Sequence, residues 1–420
     1  MRLFYISLLI SAFLVWGCNS RNNIISDFIG FSEDSLVNLE KQSMDCQIDS
    51  AKIIEVPKFN YFDRELYCKL EDVFDSIFFV RLETQPNCII GNVWQMEVVN
   101  ENIFVCDLST RGIRVFDMQG NYICKIGTTG HGPYEFVEPS DMHVTDTAVL
   151  VYDQWQHKLL KYNHRGIPIF EKILPFVCNQ VAELNSGDYL YRGVNSSNHH
   201  LPKVINYQFW QTDTSFIVKN VGLYRKYDEF QPRLNNCDFI KNNSCIYYYD
   251  EITDYVYKFD SVGRIKPSHK FNFLSNHDKD IFLIKNPYKS TKAFNEGDYV
   301  SVLDIKFIGN GVLYTLLSKG ICTFVFQNLR TNKVKYFKRT DFENSTMSKS
   351  VYMTQPLCVY NDFVGFSITP ERILPIYNYI KSNNMSESSM SLFDKNLIDG
   401  LKEDDNPIIV FGRVKKEFYE

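Results

Sequence analysis

The sequence predicts an all-β chain folded as a six-bladed β-propeller, and three observations predict it. Aromatic residues make up 15% of the 420 residues while Gly contributes only 20, a bias that favours strands over helices. A motif then recurs along the chain. Ile103-Phe-Val-Cys-Asp107 is followed by Ile113-Arg-Val-Phe-Asp117-Met-Gln-Gly120, Leu150-Val-Tyr-Asp153 by Leu159-Leu-Lys-Tyr-Asn163-His-Arg-Gly166, and Ile246-Tyr-Tyr-Tyr-Asp250 by Val256-Tyr-Lys-Phe-Asp260-Ser-Val-Gly263. Successive copies lie 46 and 97 residues apart, one and two units of the ~40–50-residue repeat of a four-stranded propeller blade. The third observation is turn chemistry. In D/N-x-x-G the first side chain accepts a backbone N–H and the Gly takes a positive φ, so each copy joins two antiparallel strands.

From the N-terminus, Met1-Arg2 precede an apolar run from Leu3 to Trp16, the length of a signal-peptide core and too short for a permanent membrane span. Leu14-Val15-Trp16-Gly17-Cys18 resembles the lipobox of bacterial lipoproteins, in which a small residue precedes a Cys that is acylated and becomes the mature N-terminus. Trp16 stands where a small residue is usual. Residues 1–17 are thus read as a signal peptide, Cys18 as the lipidation site, residues 18–52 as a polar lipid-anchored tether and residues 53–420 as the propeller. Asn19 is not the Asp of inner-membrane retention, and no acidic run follows it. The expected location is therefore the periplasmic leaflet of the outer membrane rather than the cell surface, with outer-membrane lipid as a partner through Cys18. Ten further Cys remain, so an exported chain is permitted disulfides. Cys106, Cys124, Cys245 and Cys322 sit in apolar strand-like runs and read as small buried hydrophobes.

Paired strand runs place five blades around residues 94–126, 141–174, 181–221, 237–274 and 302–339, with a worn motif copy at Ser318, Asn328 and Thr331 in the fifth. A sixth blade offers Pro356–Asp362, Phe363–Ile368 and Ile408–Lys415 but lacks an outer strand. Ser76–Glu83 is a strand with no blade of its own. Pairing the two closes the ring and removes two exposed edges. Strand alternation puts the b–c loops and the d–a connections on one face, and the long insertions 127–140, 192–203, 275–301 and 369–406 all fall there. The last is expected to hold helices at Glu371–Lys381 and Ser391–Lys402, with Leu392, Phe393, Leu397 and Leu401 packed onto the propeller.

Leu82-Glu83-Thr84 after a strand, the loop Gly127-Thr-Thr-Gly130-His-Gly132-Pro133-Tyr-Glu135-Phe136 and the closing Glu403-Asp-Asp-Asn-Pro407 together resemble the six-bladed β-propeller lipoproteins of Bacteroides-type bacteria, a family akin to the NHL and TolB-like propellers. The resemblance runs from about residue 53 to 415. It implies an envelope location and a propeller fold, and most members have no assigned activity. The family's usual loop reads Gly-x-Gly-Pro-Gly-Glu, and Tyr134 replaces its last Gly.

A formal charge of −5 and a pI near 6.0 provide no basic field for phosphates, so no nucleic-acid partner is expected. The Gly127–Gly132 loop lacks the Lys-Ser/Thr of a phosphate loop, and no Gly-x-Ser-x-Gly, HExxH or DxDxDG motif occurs. No catalytic residue is assigned. His199-His200 read as surface rather than metal ligands. The expected function is a non-catalytic binding module for a glycan, peptide or partner protein. Its expected ligand-binding residues are His131, Tyr134 and Glu135 from the first long connector, with Trp155 and His157 from the neighbouring blade. Aromatic rings beside a carboxylate suit a sugar or a cationic peptide. The alternative is a metal-dependent lactonase- or lyase-like enzyme in the channel, which would hold calcium or another divalent cation at its centre. No cofactor is expected otherwise.

Overall fold

A computed structural model describes residues 28, 31–39, 44, 51–56, 72–194, 197–226, 239–242, 245–274, 289, 292, 299–318, 321–338, 356–382, 398 and 400–420. The signal peptide, Cys18, and most of the 275–301 insertion and the second expected helix lie outside these residues. Within them the chain forms a short helix α1 (Glu33–Leu36), then strands β1 (Lys52–Val56) and β2 (Phe74–Arg81). Blade one follows as β3 (Val93–Val99), β4 (Asn102–Asp107), β5 (Gly112–Asp117) and β6 (Tyr122–Ile126). The connector holds two short strands, β7 (Thr128–Thr129) and β8 (Glu135–Phe136), which pair in parallel. Blade two is β9 (Asp141–Val144), β10 (Ala148–Asp153), β11 (Lys158–Asn163) and β12 (Pro168–Ile173). Blade three is β13 (Cys178–Glu183), β14 (Tyr189–Gly193), β15 (Tyr207–Thr212) and β16 (Val218–Tyr224). Blade four is β17 (Ile240–Asn242), β18 (Cys245–Asp250), β19 (Tyr255–Phe259) and β20 (Ile265–Phe273). Blade five is β21 (Ser301–Ile308), β22 (Gly311–Ser318), β23 (Ile321–Asn328) and β24 (Val334–Lys338). Blade six takes β25 (Cys358–Tyr360), β26 (Phe363–Ile368) and, after helix α2 (Pro370–Ser382), β27 (Ile408–Val414).

The sixth blade's outer strand is β2, antiparallel to β27. Strands from the two ends of the chain thus close the ring, as the edge argument requires, and Phe78 stacks on Phe411 at 5.0 Å across the seam. The turn beyond the seam is fastened by Asn406. Its side chain accepts from Ile90 N at 2.7 Å and donates to the carbonyls of Glu83 at 2.7 Å and Cys88 at 2.9 Å. Two motifs far apart in the chain, around Glu83 and around Asn406, therefore form one clasp, with Arg81 paired to Asp405 at 2.9 Å beside it.

The core is a ring of layers between blades rather than a central ball. One layer joins blades one and two through Phe104, Cys106, Phe136 and Met142; the next joins blades two and three through Tyr152, Phe176 and Trp210. The repeated motif supplies the frame. At the c–d turns Asp117 accepts from Gln119 N and Asn121 N, Asn163 from Arg165 N and Ile167 N, and Asp260 from Val262 N and Arg264 N, at 2.8–3.1 Å. Gly120 (φ 89°) and Gly166 (φ 76°) complete two of these turns. In each, a Cβ would strike a backbone carbonyl of the preceding blade's outer strand, that of Arg81 or of Lys125. Gly is therefore needed both for the left-handed backbone and for the close approach.

Two features differ from the sequence reading. The described part of the segment read as a tether is docked. Leu36 and Val37 join the layer under blade three and Val37 bridges to Val218, while just beyond the tether β1 pairs in parallel with β20 as a fifth strand of blade four. The physical reason is that outer strands leave N–H and C=O groups unpaired, and this segment satisfies them on two blades. The cysteines are the second. Cys106 is buried as expected, whereas Cys124, Cys245 and Cys322 are only partly so, and every cysteine among the described residues is a free thiol. Helix α2 matches the expected Glu371–Lys381 segment, and Ile373, Ile398 and Leu401 are buried in the layer between blades five and six.

Candidate functional site: the channel and its insertion-face mouth

The inner strands β3, β9, β13, β17, β21 and β25 enclose a channel of about 1220 Å³. The inner strands have free edges, and on blades two to four side chains of the preceding blade satisfy much of them. Gln95 Oε1 accepts from Met142 N (2.9 Å), Glu97 Oε2 from Val144 N (3.2 Å), Asp141 Oδ2 from Val181 N (2.9 Å), His143 Nδ1 from Glu183 N (3.0 Å) and Gln180 Oε1 from Phe239 N (2.8 Å). The wall is thereby locked blade to blade from one to four. It is also spanned. Lys241 of blade four reaches Glu97 of blade one at 3.3 Å and the carbonyl of Met142 in blade two. Burial raises the Glu97 carboxyl above its ordinary range despite Lys241. Burial likewise drives His143 well below the usual imidazole range, with Lys241 and Lys161 adding to the effect, so His143 is neutral and free to accept its N–H. In blade five Lys306 pairs with Asp304 at 2.8 Å.

The insertion-face mouth is less saturated. Trp94, second residue of β3, keeps 39% of its surface exposed, and Arg372, in the first turn of α2, is exposed as well. Both line the channel, with Asn92 and Thr369 nearby on the same lining. Sequence reasoning passed over this pair. The signal was available in part: Trp94 begins an a strand and Arg372 begins a b–c insertion, and the alternation rule puts both on the insertion face.

The expected site residues lie on that same face, but most are engaged in holding loops. Glu135 Oε2 accepts from Gly132 N at 2.8 Å and fills the space beside Gly130 and Gly132. Tyr134 adopts φ 55°, so the turn keeps its left-handed backbone without Gly. The surrounding bonds hold the strain this costs: Tyr134 N donates to Glu171, and Tyr162 Oη donates to the Tyr134 carbonyl at 2.7 Å. Gln156 and Lys158 stitch the neighbouring b–c turn to this loop through the carbonyl of Gly130 at 3.1 Å and that of Gly132 at 3.0 Å. His157 (φ 52°) and His200 both face Phe28 of the N-terminal segment, at 5.1 Å and 4.5 Å between ring centroids. They form a bed for that segment. His131 is exposed, and Trp155 is 67% exposed with its indole donating to Glu138 at 3.2 Å. The structure therefore brings the two loops together, and leaves His131, Tyr134 and Trp155 as the residues with free surface.

The first Asp of the motif has a role that the turn reading did not assign. Asp107, Asp153 and Asp250 are fully buried. Each ties its own b–c turn to the incoming d–a connection: Asp107 holds Ser109 and Gly91, Asp153 holds Trp155 and Val137, and Asp250 holds Thr253 and Arg225. Burial opposes the charge on Asp107, but the donors from Ser109, Thr110, Gly91 and Asn92 outweigh it and hold the carboxyl below its ordinary range. Among the described residues no group of three or more His, Cys, Asp or Glu is arranged to hold a metal ion, and no helix is long and apolar enough to cross a membrane.

In backbone the chain is similar to a candidate exported protein from Bacteroides fragilis, with a TM-score of 0.68 at 18% identity, covering 87% of this chain and 100% of that one. A member of the DUF4221 family from Bacteroides vulgatus matches with a TM-score of 0.46 at 12% identity over 82% of this chain and 97% of that one. A catalytically inactive virginiamycin B lyase from Staphylococcus aureus, solved with quinupristin, matches at 0.38 and 10% identity over 80% and 99%. Neither of these last two bears on function. Comparison with curated proteins finds no match. The sequence matches the model described as Domain of unknown function (DUF4934) over residues 53–413, nearly the whole propeller, and the chain belongs to that family.

Proposed function

We propose that the protein is an exported, lipid-anchored propeller of NHL- and TolB-like type that binds a ligand on its insertion face without turning it over. The observation that carries this reading is the channel. It is larger than the ~300–1000 Å³ of ordinary ligand pockets and opens beside exposed aromatic rings. In its wall Glu97 is paired with Lys241 and Asp304 with Lys306, and Glu97 and His143 also accept inner-strand N–H groups. Export is supported by the apolar run ahead of Cys18 and by the description of the Bacteroides fragilis relative as an exported protein. The periplasmic leaflet of the outer membrane is the proposed address, with acylated Cys18 as the anchor.

The binding test uses purified protein incubated with glycan and peptide pools from a host envelope, then desalted, with retained ligand identified by mass. Retention of an unaltered ligand that Trp94→Ala loses is the expected result. Chemical conversion of the pool by the wild type, abolished in no loop variant, would point to an enzyme instead. The anchor is tested separately by detergent-phase partitioning, which Cys18→Ser should abolish.

A further inference from the structure

Resting on the binding reading above, we infer that the insertion-face mouth of the channel takes an acidic sugar chain, a carboxylate-bearing oligosaccharide, through Trp94 and Arg372. Three observations converge on that chemistry. The first is charge. The other cations lining the channel are answered, Lys241 by Glu97 at 3.3 Å and Lys306 by Asp304 at 2.8 Å. Arg372 is exposed, and among the described residues no carboxylate pairs with its guanidinium. A planar fork of donors left without an acceptor at the rim of a cavity is matched by a ligand carboxylate, which it holds through two parallel bonds.

The second observation is the ring. The aromatics of the inter-blade layers mostly meet one another edge to face or stacked, as Phe176 does with Trp210 at 5.3 Å and Phe209 with Tyr248 at 4.7 Å. Trp94 has no aromatic neighbour among the described residues and keeps 39% of its surface open on the same lining as Arg372. An open indole face suits the apolar C–H face of a sugar ring. Asn92 and Thr369 on that lining offer amide and hydroxyl groups that match sugar hydroxyls as donors or acceptors.

The third observation separates sugar from peptide. An extended peptide gains its affinity in such a place by adding to a free strand edge. Here inner-strand N–H groups at Met142, Val144, Val181, Glu183 and Phe239 are already accepted by side chains of the preceding blades. On blades two to four the edge a peptide would need is thus occupied, whereas side-chain recognition of a sugar needs no edge.

The test is a titration of the full chain, followed by tryptophan fluorescence and calorimetry, with three sugar probes, tetragalacturonate, its fully methyl-esterified form and maltotetraose, and an Asp/Glu tetrapeptide as a fourth. Tetragalacturonate should bind most tightly. Arg372→Gln should weaken it by roughly tenfold, the loss expected for one charge-assisted pair, and bring it level with the methyl ester. Arg372→Lys should recover only part, because the fork is lost while the charge stays. Trp94→Ala should remove binding of all three sugars. Both side chains are exposed, so melting temperatures should stay at the wild-type value. Equal binding of maltotetraose and indifference to Arg372→Gln would overturn the acidic-sugar inference and leave the binding reading intact. Binding of an Asp/Glu tetrapeptide but of no sugar would replace sugar with peptide. Failure of all three sugars would overturn the inference, while ligand retention from the envelope pools continues to judge the binding reading on its own.

Discussion

Two aromatic-bearing regions share the insertion face, and they differ in how fully their polar groups are spent. The connector between blades one and two, with Tyr134, Glu135 and the adjacent Trp155, is dense in internal bonds. Glu135 serves Gly132, Glu171 serves Tyr134, and Gln156 and Lys158 serve the loop carbonyls. The channel mouth, with Trp94 and Arg372, is open, and its guanidinium has no acid partner among the described residues. A Gly-rich loop with a carboxylate draws the eye in a sequence because unusual backbone conformations demand unusual residues. The same demand consumes the side chains. Residues that remain free for a ligand are those whose local backbone is ordinary, and ordinary backbone leaves no motif.

The largest effect that separates the regions is on stability. Asp153 is fully buried under the connector and accepts from Val137 N at 2.6 Å, Trp155 N at 2.9 Å and Gln156 Nε2 at 2.8 Å. Asp153→Ala strands several donors at once, so a loss on the order of 3–5 kcal/mol is expected in urea unfolding. Arg372→Gln at the mouth should stay within about 0.5 kcal/mol of wild type. A small loss in Asp153→Ala would mean that the connector is not the braced structure described and would reopen it as a binding loop.

How much of this was legible follows from what each feature depends on. The c–d turns at Asp117, Asn163 and Asp260 depend on four or five consecutive residues, so the sequence displays them in full. Ring closure by β2 was reached through a general argument, since an orphan strand and an incomplete blade share one remedy. The docking of β1 on β20 was not. Lys52-Ile-Ile-Glu-Val56 is a short run with no turn beside it, and parallel pairing to a strand some two hundred residues away carries no local mark. Trp94 and Arg372 come to line one channel for the same reason that Glu83 meets Asn406, namely closure of the ring. The difference is that Asn406 lies in the closing Glu403–Pro407 stretch on which the sequence resemblance rests, and Arg372 does not.

The next effect lies in pH. Burial, with Lys52 adding, holds His269 of β20 down at about 4, below the usual imidazole value of 6.5. The folded state therefore binds fewer protons than the unfolded chain between those values. Stability from this group is complete above pH 6.5 and is lost as pH falls towards 4, a difference of about 3 kcal/mol at most. His143 in the channel wall, also depressed by burial, acts in the same sense. Urea midpoints should fall from pH 7 to pH 4.5, and His269→Gln should flatten that fall. An unchanged slope in the variant would show that the acid limb belongs to other groups.

Smaller still is the carboxylate in the connector. Glu135→Ala removes the acceptor for Gly132 N and empties the space beside two glycines, so about 1–2 kcal/mol should be lost. Ligand retention should survive, because the side chain points into its own loop. Loss of ligand with no loss of stability would reverse the assignment and return Glu135 to the site.

The smallest expected change in stability belongs to Trp155→Ala, and it sharpens the comparison most. With 67% of its surface in water and a single indole bond to Glu138 at 3.2 Å, Trp155 contributes little to the core, and its removal should shift stability by no more than about 0.5 kcal/mol. An aromatic so exposed is either incidental or an outlying platform for a chain that starts at Trp94. Length dependence tells these apart. If the ligand extends from the mouth across the insertion face, Trp155→Ala should weaken a long oligosaccharide more than a tetrasaccharide, whereas Trp94→Ala should weaken both alike. If the two lengths respond equally to Trp155→Ala, recognition is confined to the channel mouth, and the connector is structure alone.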